Sequence, residues 1–391
     1  MNRIFIKNGK LVLPDKIKEK AVLVIENGKI AQTDYKGEIP EGAEIIDANE
    51  GVVLAGFIDE HLHGGGGFDF MDASKEAFRE IRKIHCLYGT TSITPTTVTD
   101  SIEHTEHLFD IYREVAKEDK YANFLGIHLE GPFLSKEMKG AQQEKYLQEP
   151  NKIVVERLLK SGGDIIKRIS CAPELNGIKQ MTNMLLEAGI RLSIAHSNAT
   201  CRQVIEAYKW GFDQITHLYS NTPSVRKIGQ KVEAGIVEAA YLLTDMRVEL
   251  IGDGVHVPKE LLQLVIKLKG ADKVLLITDA MRAAGTKVKE SLLGGLQGGH
   301  KVIIEDGVAK LPDRSFFAGS IATSDLVFRN AVQNAGIPIT MVSEMMSLTP
   351  AKSLGVDKEK GSLESGKDAD IVIMDKELKV SHVFVGGKKV F

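Results

Sequence analysis

The central part of the sequence alternates short apolar stretches with amphipathic ones, and this alternation strongly limits the possible folds. Eight apolar stretches are predicted as strands, at residues 52–58, 91–94, 124–129, 166–171, 192–195, 212–216, 247–251 and 274–278. Helical stretches separate them, such as 74–88, where Ser74 is the expected N-cap and Gly89 the expected stop. Eight strands with intervening helices over roughly 250 residues or more are typical of an α/β (β/α)8 TIM barrel. A doubly wound open sheet is less favoured, because no G-x-G-x-x-G follows the first strand.

The two ends of the chain follow a different pattern, in which short strands are joined by turns. Asn8-Gly9 and Asn27-Gly28 lie between apolar runs and predict hairpins, and residues 44–47 close this set. Near the other end, strands are predicted at 369–374 and 380–385, followed by a Gly386-Gly387 turn. Because neither end has enough strands alone, we predict that both pair into one small β-sandwich domain, residues 1–52 plus 357–391. The barrel domain is then 53–356.

Composition excludes several classes of partner and site. The 391 residues carry 50 Lys+Arg against 53 Asp+Glu, a formal net charge of -3. This balance argues against nucleic acid and acidic membranes as partners, while a small anionic substrate needs only a local cluster of donors. The three cysteines, an odd and scattered set, predict no disulfide framework. No signal peptide or apolar run of about 20 residues is evident, so a cytoplasmic protein is expected.

Six ionisable residues follow five of the predicted strands. They are His61, His63, Glu130, His196, His217 and Asp279. A barrel places its active site at the carboxyl ends of its strands, so these positions are expected to meet. The two residues of the His-x-His pair point the same way, because side chains alternate along a strand. The set predicts a divalent metal site, and imidazole with carboxylate suits zinc or iron.

This site predicts a hydrolytic chemistry. A metal held by histidine and glutamate lowers the pKa of its bound water towards ~7, and that water is the expected nucleophile on an amide. Asp279 is suited to take the proton from the water and return it to the departing nitrogen, as general base and then acid. The alternative role of Asp279 is an N-cap after the last strand.

The segments that carry these residues have a recognisable form. They read GFIDEHLHGG at 56–65, HLEGPF at 128–133, THLY at 216–219, DGVH at 253–256 and TDA at 278–280. Together with a GSL…GKDADIV tail at 361–372, they resemble the amidohydrolase superfamily. Within it they resemble the N-acetylglucosamine-6-phosphate deacetylase family, over essentially the whole chain.

The resemblance implies a reaction and a set of roles. The family converts N-acetylglucosamine 6-phosphate and water to glucosamine 6-phosphate and acetate, and its members are typically homodimers. Glu130, His196 and His217 match its main metal ligands, and Asp279 matches its acid/base. His61 with His63 match a pair that helps hold a second metal in some members, so the resemblance implies one or two ions per subunit. The residues implied at the substrate are Gln142, Ser220, Asn221, Arg226 or Lys227, and His256.

The sequence departs from the family pattern at the substrate end. Relatives usually have histidine where Gln142 stands, and segment 220–229 differs from their usual form. N-acetylgalactosamine 6-phosphate or a related N-acyl amino-sugar phosphate therefore remains an alternative substrate. A cyclic-amide hydrolase or deaminase is less favoured, because such enzymes present Lys or His where Glu130 stands. A non-catalytic sensor would have no use for Asp279.

The remaining histidines are given simpler interpretations. His85, His104 and His107 lie in helical stretches beside charges and are expected to face solvent. His128 points the same way as Glu130 by strand alternation, so it is expected either to support the ligands or to pack in the core.

Overall fold

A computed structural model describes residues 3–118 and 120–391 of this chain. Its centre is a mixed α/β arrangement of parallel strands that we label in chain order. They are β1 (Phe57–Leu62), β2 (Thr90–Pro95), β3 (Ile127–Glu130), β4 (Ile166–Cys171), β5 (Arg191–Ile194), β6 (Phe212–Ile215), β7 (Arg247–Ile251) and β8 (Val274–Ile277). Seven of the eight strands occur where the sequence predicts them, within about three residues at each end, whereas β1 shares only residues 57–58 with the predicted stretch 52–58.

The parallel strands form a curled sheet in two parts. β1 pairs with β2, and β3 to β8 pair successively, each with the next along the chain. Single parallel bridges connect the two parts, Thr96 with His128 between β2 and β3, and Leu62 with Ala280 between β1 and the end of β8. The carboxyl ends of all eight strands therefore face one side of the molecule.

Helices cover the outside of this sheet. They are α1 (Lys75–Leu87), α2 (Ile102–Val115), α3 (Lys152–Gly162), α4 (Ile178–Glu187), α5 (Cys201–Lys209), α6 (Ile236–Leu242), α7 (Lys259–Lys269), α8 (Ser324–Arg329), α9 (Ile339–Ser343) and α10 (Thr349–Leu354). Shorter helical turns occur at Phe70–Asp72, Lys136–Met138, Glu144–Tyr146, Ala271–Lys273, Asn330–Asn334 and Glu344–Leu348. Over the described ranges, none of the helices has the length and apolarity needed to cross a membrane.

The ends of α1 agree with the prediction. The Ser74 side chain accepts a hydrogen bond from the backbone N–H of Ala77, as an N-cap does. Gly89 follows the helix with φ +94 and donates its N–H to the carbonyl of Cys86.

Two predicted strands are interrupted at glycines. The stretch 52–58 divides at Gly56, whose N–H donates to the carbonyl of Asp370, and a Cβ there would lie 2.1 Å from Oγ1 of Thr91. Val52–Ala55 therefore belongs to a different sheet from β1. The stretch 124–129 divides at Gly126, where φ is +108, so that Asn123–Phe124 pairs with β2 and β3 begins afterwards.

Strands from the two ends of the chain form one eight-stranded sheet. Its members are Arg3–Val12, Ile17–Glu26, Lys29–Gln32, Glu44–Asp47, Val52–Ala55, Ile371–Met374, Val380–Val385 and Lys388–Lys389. Ile371–Met374 pairs antiparallel with Val52–Ala55 and so joins the two ends. Ile6, Leu23, Ile371 and Phe384 belong to its own hydrophobic cluster. The predicted pairing of the two ends is thus present.

Two of the three predicted glycine turns are present in the structure. Asn27-Gly28 joins two antiparallel strands with φ +52 and +77, and Gly386-Gly387 also turns at positive φ. The predicted hairpin at Asn8-Gly9 is wrong, because the first strand continues through it with a shift in register. A two-residue bulge absorbs the positive φ of Asn8, and the turn forms where the N–H of Leu13 donates to Lys16.

A four-stranded antiparallel sheet between β8 and α8 was not predicted. It consists of Glu290–Leu293, His300–Glu305, Val308–Lys310 and Phe317–Ser320. Ser320 forms a parallel bridge with Ala280, directly after β8, so the insertion stands at the carboxyl side of the strands. A two-stranded hairpin, Arg226–Ile228 with Lys231–Glu233, follows β6 on the same side.

Candidate metal centre

The six predicted residues meet at the carboxyl ends of the parallel strands. Glu130 lies at the centre of the group, and its Oε1 is 2.8 Å from Nε2 of His217 and 3.2 Å from Nε2 of His196. On the other side, Oε2 lies 3.6 Å from Nε2 of His63, and Oε1 lies 3.8 Å from Nε2 of His61. One buried carboxylate therefore faces four imidazole nitrogens.

Asp279 completes the group from β8. Its Oδ1 lies 3.2 Å from Nε2 of His63 and 3.5 Å from Nε2 of His61. Its backbone N–H donates to the carbonyl of His61, which fixes the end of β8 against β1. The aspartate thus faces the same space as the four imidazoles.

The other ring nitrogen of each histidine is anchored away from that space. Nδ1 of His63 lies 3.2 Å from the carbonyl of Thr96. Nδ1 of His196 lies 2.9 Å from the carbonyl of Met138, and Nδ1 of His217 lies 3.0 Å from the carbonyl of Ser220. For His61 the partner is a carboxylate oxygen of Glu249 at 2.9 Å. A ring that donates from Nδ1 presents the lone pair of Nε2, so all four rings are oriented as metal ligands are.

Three of the site residues have strained backbones. His196, His217 and Asp279 follow their strands with φ of +44, +31 and +48. Non-glycine residues rarely adopt this left-handed conformation, and it is concentrated at functional sites. It turns each side chain across the open end of the strands instead of along them.

The carboxylates and imidazoles of the site shift one another's pKa values, and each stabilises the charged form of the other. Burial alone would raise the pKa of Glu130, but His196 and His217 hold it well below its usual range. Burial would likewise raise the pKa of Asp279, yet His63 and His61 lower it. Despite burial, Asp279 and Glu130 raise the pKa of His63 to about 9, and Glu130 raises that of His217 to about 9. Charged carboxylates in this pocket favour a cation.

The arrangement fits a divalent metal ion. His61, His63 and Glu130 offer ligand atoms within 4.8 Å of one another, and so do Glu130, His196 and His217. Nε2 of His61 is buried with no hydrogen-bond partner in the described part of the chain. Buried polar atoms are rarely left unpaired, and imidazole with carboxylate is the donor set of zinc and similar ions.

The cavity beside this group contains four of the residues predicted at the substrate. Gln142, Ser220, Asn221 and His256 line it, together with Val98, Leu293, Phe317 and Gly319. His256 is held by Asp253, whose Oδ2 lies 2.6 Å from its Nδ1, and its ring packs edge-on against Phe317. The polar residues and the inserted sheet therefore enclose the same space.

Gln142 is more constrained than its sequence position indicates. Its Nε2 donates to Oε2 of Glu130 at 2.6 Å, and its Oε1 accepts the backbone N–H of Thr99 at 2.8 Å. Both ends of the amide are therefore engaged within the protein, and one of them contacts the central carboxylate.

Arg226 and Lys227 lie apart from the cavity lining. Both belong to the hairpin that follows β6, and Lys227 is exposed. The guanidinium of Arg226 donates to the carbonyl of Asn198 at 2.6 Å. Within one chain, the structure does not bring either residue to the metal group.

Sequence reasoning missed a polar cluster beneath the site. Glu249 on β7 contacts His61, and Gln214, Arg168 and Glu60 are buried beside it. The available signal was a charged residue inside an otherwise apolar predicted strand, because such a residue is rarely buried without a partner.

The expectation of solvent-facing histidines was wrong for His85. Its ring is buried, and Nε2 lies 2.9 Å from the carbonyl of Gly64, beside the metal group. His104 is half-buried and its Nε2 contacts the carbonyl of Met71, whereas His107 is exposed as predicted. His128 is buried, with Nε2 2.6 Å from Oγ of Ser170 and its ring edge-on to His61.

Comparison with known proteins agrees with this geometry. The sequence profile of the Amidohydrolase family matches residues 52–390. The chain therefore belongs to the amidohydrolase family.

Its relatives within that family define a narrower group. A Lysinibacillus sphaericus protein named N-acetylglucosamine-6-phosphate deacetylase is 34% identical over 98% of this chain and 97% of its own length. The crystal structure of the Pasteurella multocida protein of that name is 30% identical, covers 99% of both chains and has a TM-score of 0.91. An Escherichia coli O157:H7 protein named N-acetylgalactosamine-6-phosphate deacetylase is 31% identical over 94% of this chain and 93% of its own length.

Proposed function

We propose that this chain hydrolyses the acetamide of N-acetylglucosamine 6-phosphate and releases glucosamine 6-phosphate and acetate. The observation that carries the proposal is the buried cluster of Glu130, His196 and His217 with Asp279, in a chain 34% identical to a deacetylase of that name. The cluster has the donors for a divalent metal and an additional carboxylate beside them.

The residues have distinct roles in this proposal. Glu130, His196 and His217 hold the principal metal, and His61 with His63 hold a second. A divalent metal held by these residues would supply Lewis acidity, which would lower the pKa of a water molecule and polarise the acetamide carbonyl. Asp279, at 3.2 Å from Nε2 of His63, accepts the proton of the attacking water and returns it to the departing nitrogen.

The rest of the cavity receives the sugar phosphate. Ser220, Asn221 and His256 line the same cavity as Gln142 and offer hydrogen bonds there, and we assign them to the sugar and its phosphate. Arg226 or Lys227 is the proposed cation for the phosphate. Because both side chains lie outside the lining, this role requires the hairpin after β6 to approach the substrate or a second subunit to complete the site.

N-acetylgalactosamine 6-phosphate is the second candidate substrate. Gln142, where relatives usually have histidine, is engaged with Glu130 and Thr99, so the contacts it offers the sugar differ from those of histidine. A relative named for the galactosamine substrate is 31% identical to this chain. The two epimers differ only in the orientation of one hydroxyl, so a change in the hydrogen bonds that the cavity offers the sugar is expected to alter the preference between them.

Acetate release tests both candidates in one experiment. Purified protein of measured metal content is incubated with N-acetylglucosamine 6-phosphate and with N-acetylgalactosamine 6-phosphate. The two unphosphorylated N-acetyl sugars serve as controls. We expect release from N-acetylglucosamine 6-phosphate with the highest kcat/KM and little from the controls. Preference for the galactosamine epimer would change the substrate, and no release from any compound would refute deacetylation.

Several finer features belong to the same proposal. We infer a closed (β/α)8 barrel at 53–356, a β-sandwich from 1–52 plus 357–391, and zinc or iron as the metal. A homodimer is inferred as well, and the exposed apolar residues Val225, Ile228 and Val232 of the hairpin fit a covered surface. A cytoplasmic location fits the three free thiols, because a reducing compartment keeps cysteines unpaired.

A further inference from the structure

Glu249 lies directly beneath the metal group and contacts one of its imidazoles. Its side chain is fully buried on β7, and its Oε2 lies 2.9 Å from Nδ1 of His61. Its Oε1 accepts a hydrogen bond from Nε2 of Gln214 at 2.6 Å, and Nη1 of Arg168 lies 3.5 Å away. Both oxygens are therefore engaged, one with the site and one with the core.

The surrounding contacts fix which oxygen faces the site. Gln214 also donates from Nε2 to Glu60 at 2.8 Å, while its own carbonyl accepts from Ser353 at 3.2 Å. Arg168 donates to the same oxygen of Glu60 at 2.6 Å. Reversing the amide of Gln214 would break these contacts, so the side-chain donors of the cluster face Oε1 of Glu249. Oε2 faces Nδ1 of His61 and also accepts a longer hydrogen bond, 3.4 Å, from the backbone N–H of His217.

We propose that Glu249 is a positioning residue that makes His61 a metal ligand. An ionised carboxylate can only accept, so Nδ1 of His61 carries the proton and Nε2 presents its lone pair. That Nε2 is buried and has no hydrogen-bond partner among the residues that the structure describes, and it lies 3.5 Å from Asp279 and 3.8 Å from Glu130. The inference rests on the proposed function only in that this site holds metal.

The tautomer of His61 can be measured in the wild-type protein. Nitrogen-15 NMR of the zinc-loaded protein distinguishes a protonated ring nitrogen from one that is bound to metal. For His61 we expect the proton on Nδ1 and zinc coordination at Nε2, with assignment by comparison with His61→Gln. A proton on Nε2, or an imidazolium, would overturn the proposal without requiring any variant of Glu249.

Glu249→Gln tests the orienting role with little change of shape. Because Gln214 and Arg168 donate towards Oε1, the carbonyl of the new amide is expected to face them and its NH2 to face His61. That arrangement makes Nδ1 the acceptor and places the proton on Nε2, which then cannot bind metal. We expect two zinc ions per subunit in the wild type, and one in both Glu249→Gln and His61→Gln.

Glu60→Gln is the matched control. It removes the same charge from the same buried cluster, but the Glu60 carboxylate accepts from Arg168, Gln214 and Ser353 and not from the ring of His61. We therefore expect Glu60→Gln to retain two zinc ions and the wild-type tautomer. Equal zinc loss in Glu60→Gln would assign the effect to the charge of the cluster and overturn the proposal. The proposal would also be overturned if Glu249→Gln bound two zinc ions. It would be overturned as well if the wild type bound one zinc ion and His61→Gln left that count unchanged.

Failure of this inference is distinguishable from failure of the proposed function. Acetate release by the wild type is measured separately and does not depend on the zinc count in Glu249→Gln. Release with unchanged zinc binding in Glu249→Gln refutes the positioning role alone, whereas no release with the expected zinc counts refutes deacetylation alone.

Discussion

At the scale of single residues, the site uses conformations that cost stability. His196, His217 and Asp279 each have positive φ directly after a strand, a conformation that costs a non-glycine residue roughly 1–2 kcal/mol. Backbone hydrogen bonds, such as the one from the N–H of Asp279 to the carbonyl of His61, help to hold them there. The geometry of the ligands is thus set by the backbone as well as by side-chain contacts.

Asp279→Asn tests the proton-transfer role. Asparagine keeps the shape of the side chain but cannot accept the proton, so we expect kcat to fall by about 10²–10⁴-fold. Metal bound by Glu130, His196 and His217 is expected to remain, as measured by elemental analysis. Asp272→Asn, at an exposed aspartate near β8, is the control and should keep full turnover. Full turnover in Asp279→Asn would remove this residue from the proton path.

His85 gives the protein an acid-sensitive contact beside the site. Burial lowers the pKa of His85 to about 4, although its hydrogen bond with Gly64 opposes the shift. Because this pKa is below its ordinary value of about 6.5, the unfolded chain binds more protons between those values. The stability that His85 contributes is complete above pH 6.5 and is lost as the pH falls towards 4.

We expect His85→Gln to flatten this part of the stability profile. The free energy of unfolding should change less between pH 6.5 and 4 than in the wild type, by about 3 kcal/mol at most. Urea unfolding at several pH values measures it, with the exposed His107→Gln as the control. An unchanged acid profile in His85→Gln would contradict the assignment.

At the scale of elements, glycines decide where strands end. Gly56 separates the sheet formed by the chain ends from β1, and its missing Cβ is what allows Thr91 to approach. Gly126 does the same before β3 through its positive φ. In both cases, one continuous apolar stretch of the sequence contributes strands to two different sheets.

Gly56→Ala is therefore expected to destabilise the fold by roughly 1–3 kcal/mol, through overpacking against Thr91. Gly189→Ala is a comparison at positive φ with open space around it, where only backbone strain of roughly 1–2 kcal/mol applies. Urea unfolding measures both. The addition of Thr91→Ala should reduce the cost of Gly56→Ala, and an unchanged cost would contradict the steric explanation.

Local pattern was sufficient for seven of the eight strands, because buried parallel strands are apolar and end at polar residues. The same pattern placed His61, His63, Glu130, His196 and Asp279 at strand ends. It could not give the break at Gly56, since that depends on contact with Thr91, which is distant in sequence. Nor could it give the pairing of Glu249 with His61, because that contact forms only when β1 and β7 are brought together.

At the scale of the whole molecule, metal and protons compete for the same nitrogens. The neighbouring carboxylates raise the pKa of His63 and His217 to about 9 in the metal-free protein. A raised histidine pKa stabilises the metal-free fold below pH 6.5, and this contribution is lost as the pH rises through 9. Metal binding requires neutral imidazoles, so it becomes tighter over the same range.

Two thermal unfolding series test this competition. Between pH 6.5 and 9 the Tm of the metal-free protein is expected to fall, while the increase in Tm caused by added zinc grows. Calorimetry in buffers of different ionisation enthalpy should detect proton release on zinc binding near pH 7. A zinc-induced increase in Tm that is independent of pH would contradict the assignment of protons to His63 and His217.

The strand that joins the two chain ends also sets an order for assembly. Ile371–Met374 lies between Val52–Ala55 and Val380–Val385, so it completes a sheet whose other half precedes β1. During synthesis the N-terminal strands emerge more than 300 residues before their partner and expose an unpaired edge throughout. This sheet can therefore close only after residue 374 has been synthesised, and the nascent chain needs protection from aggregation until then.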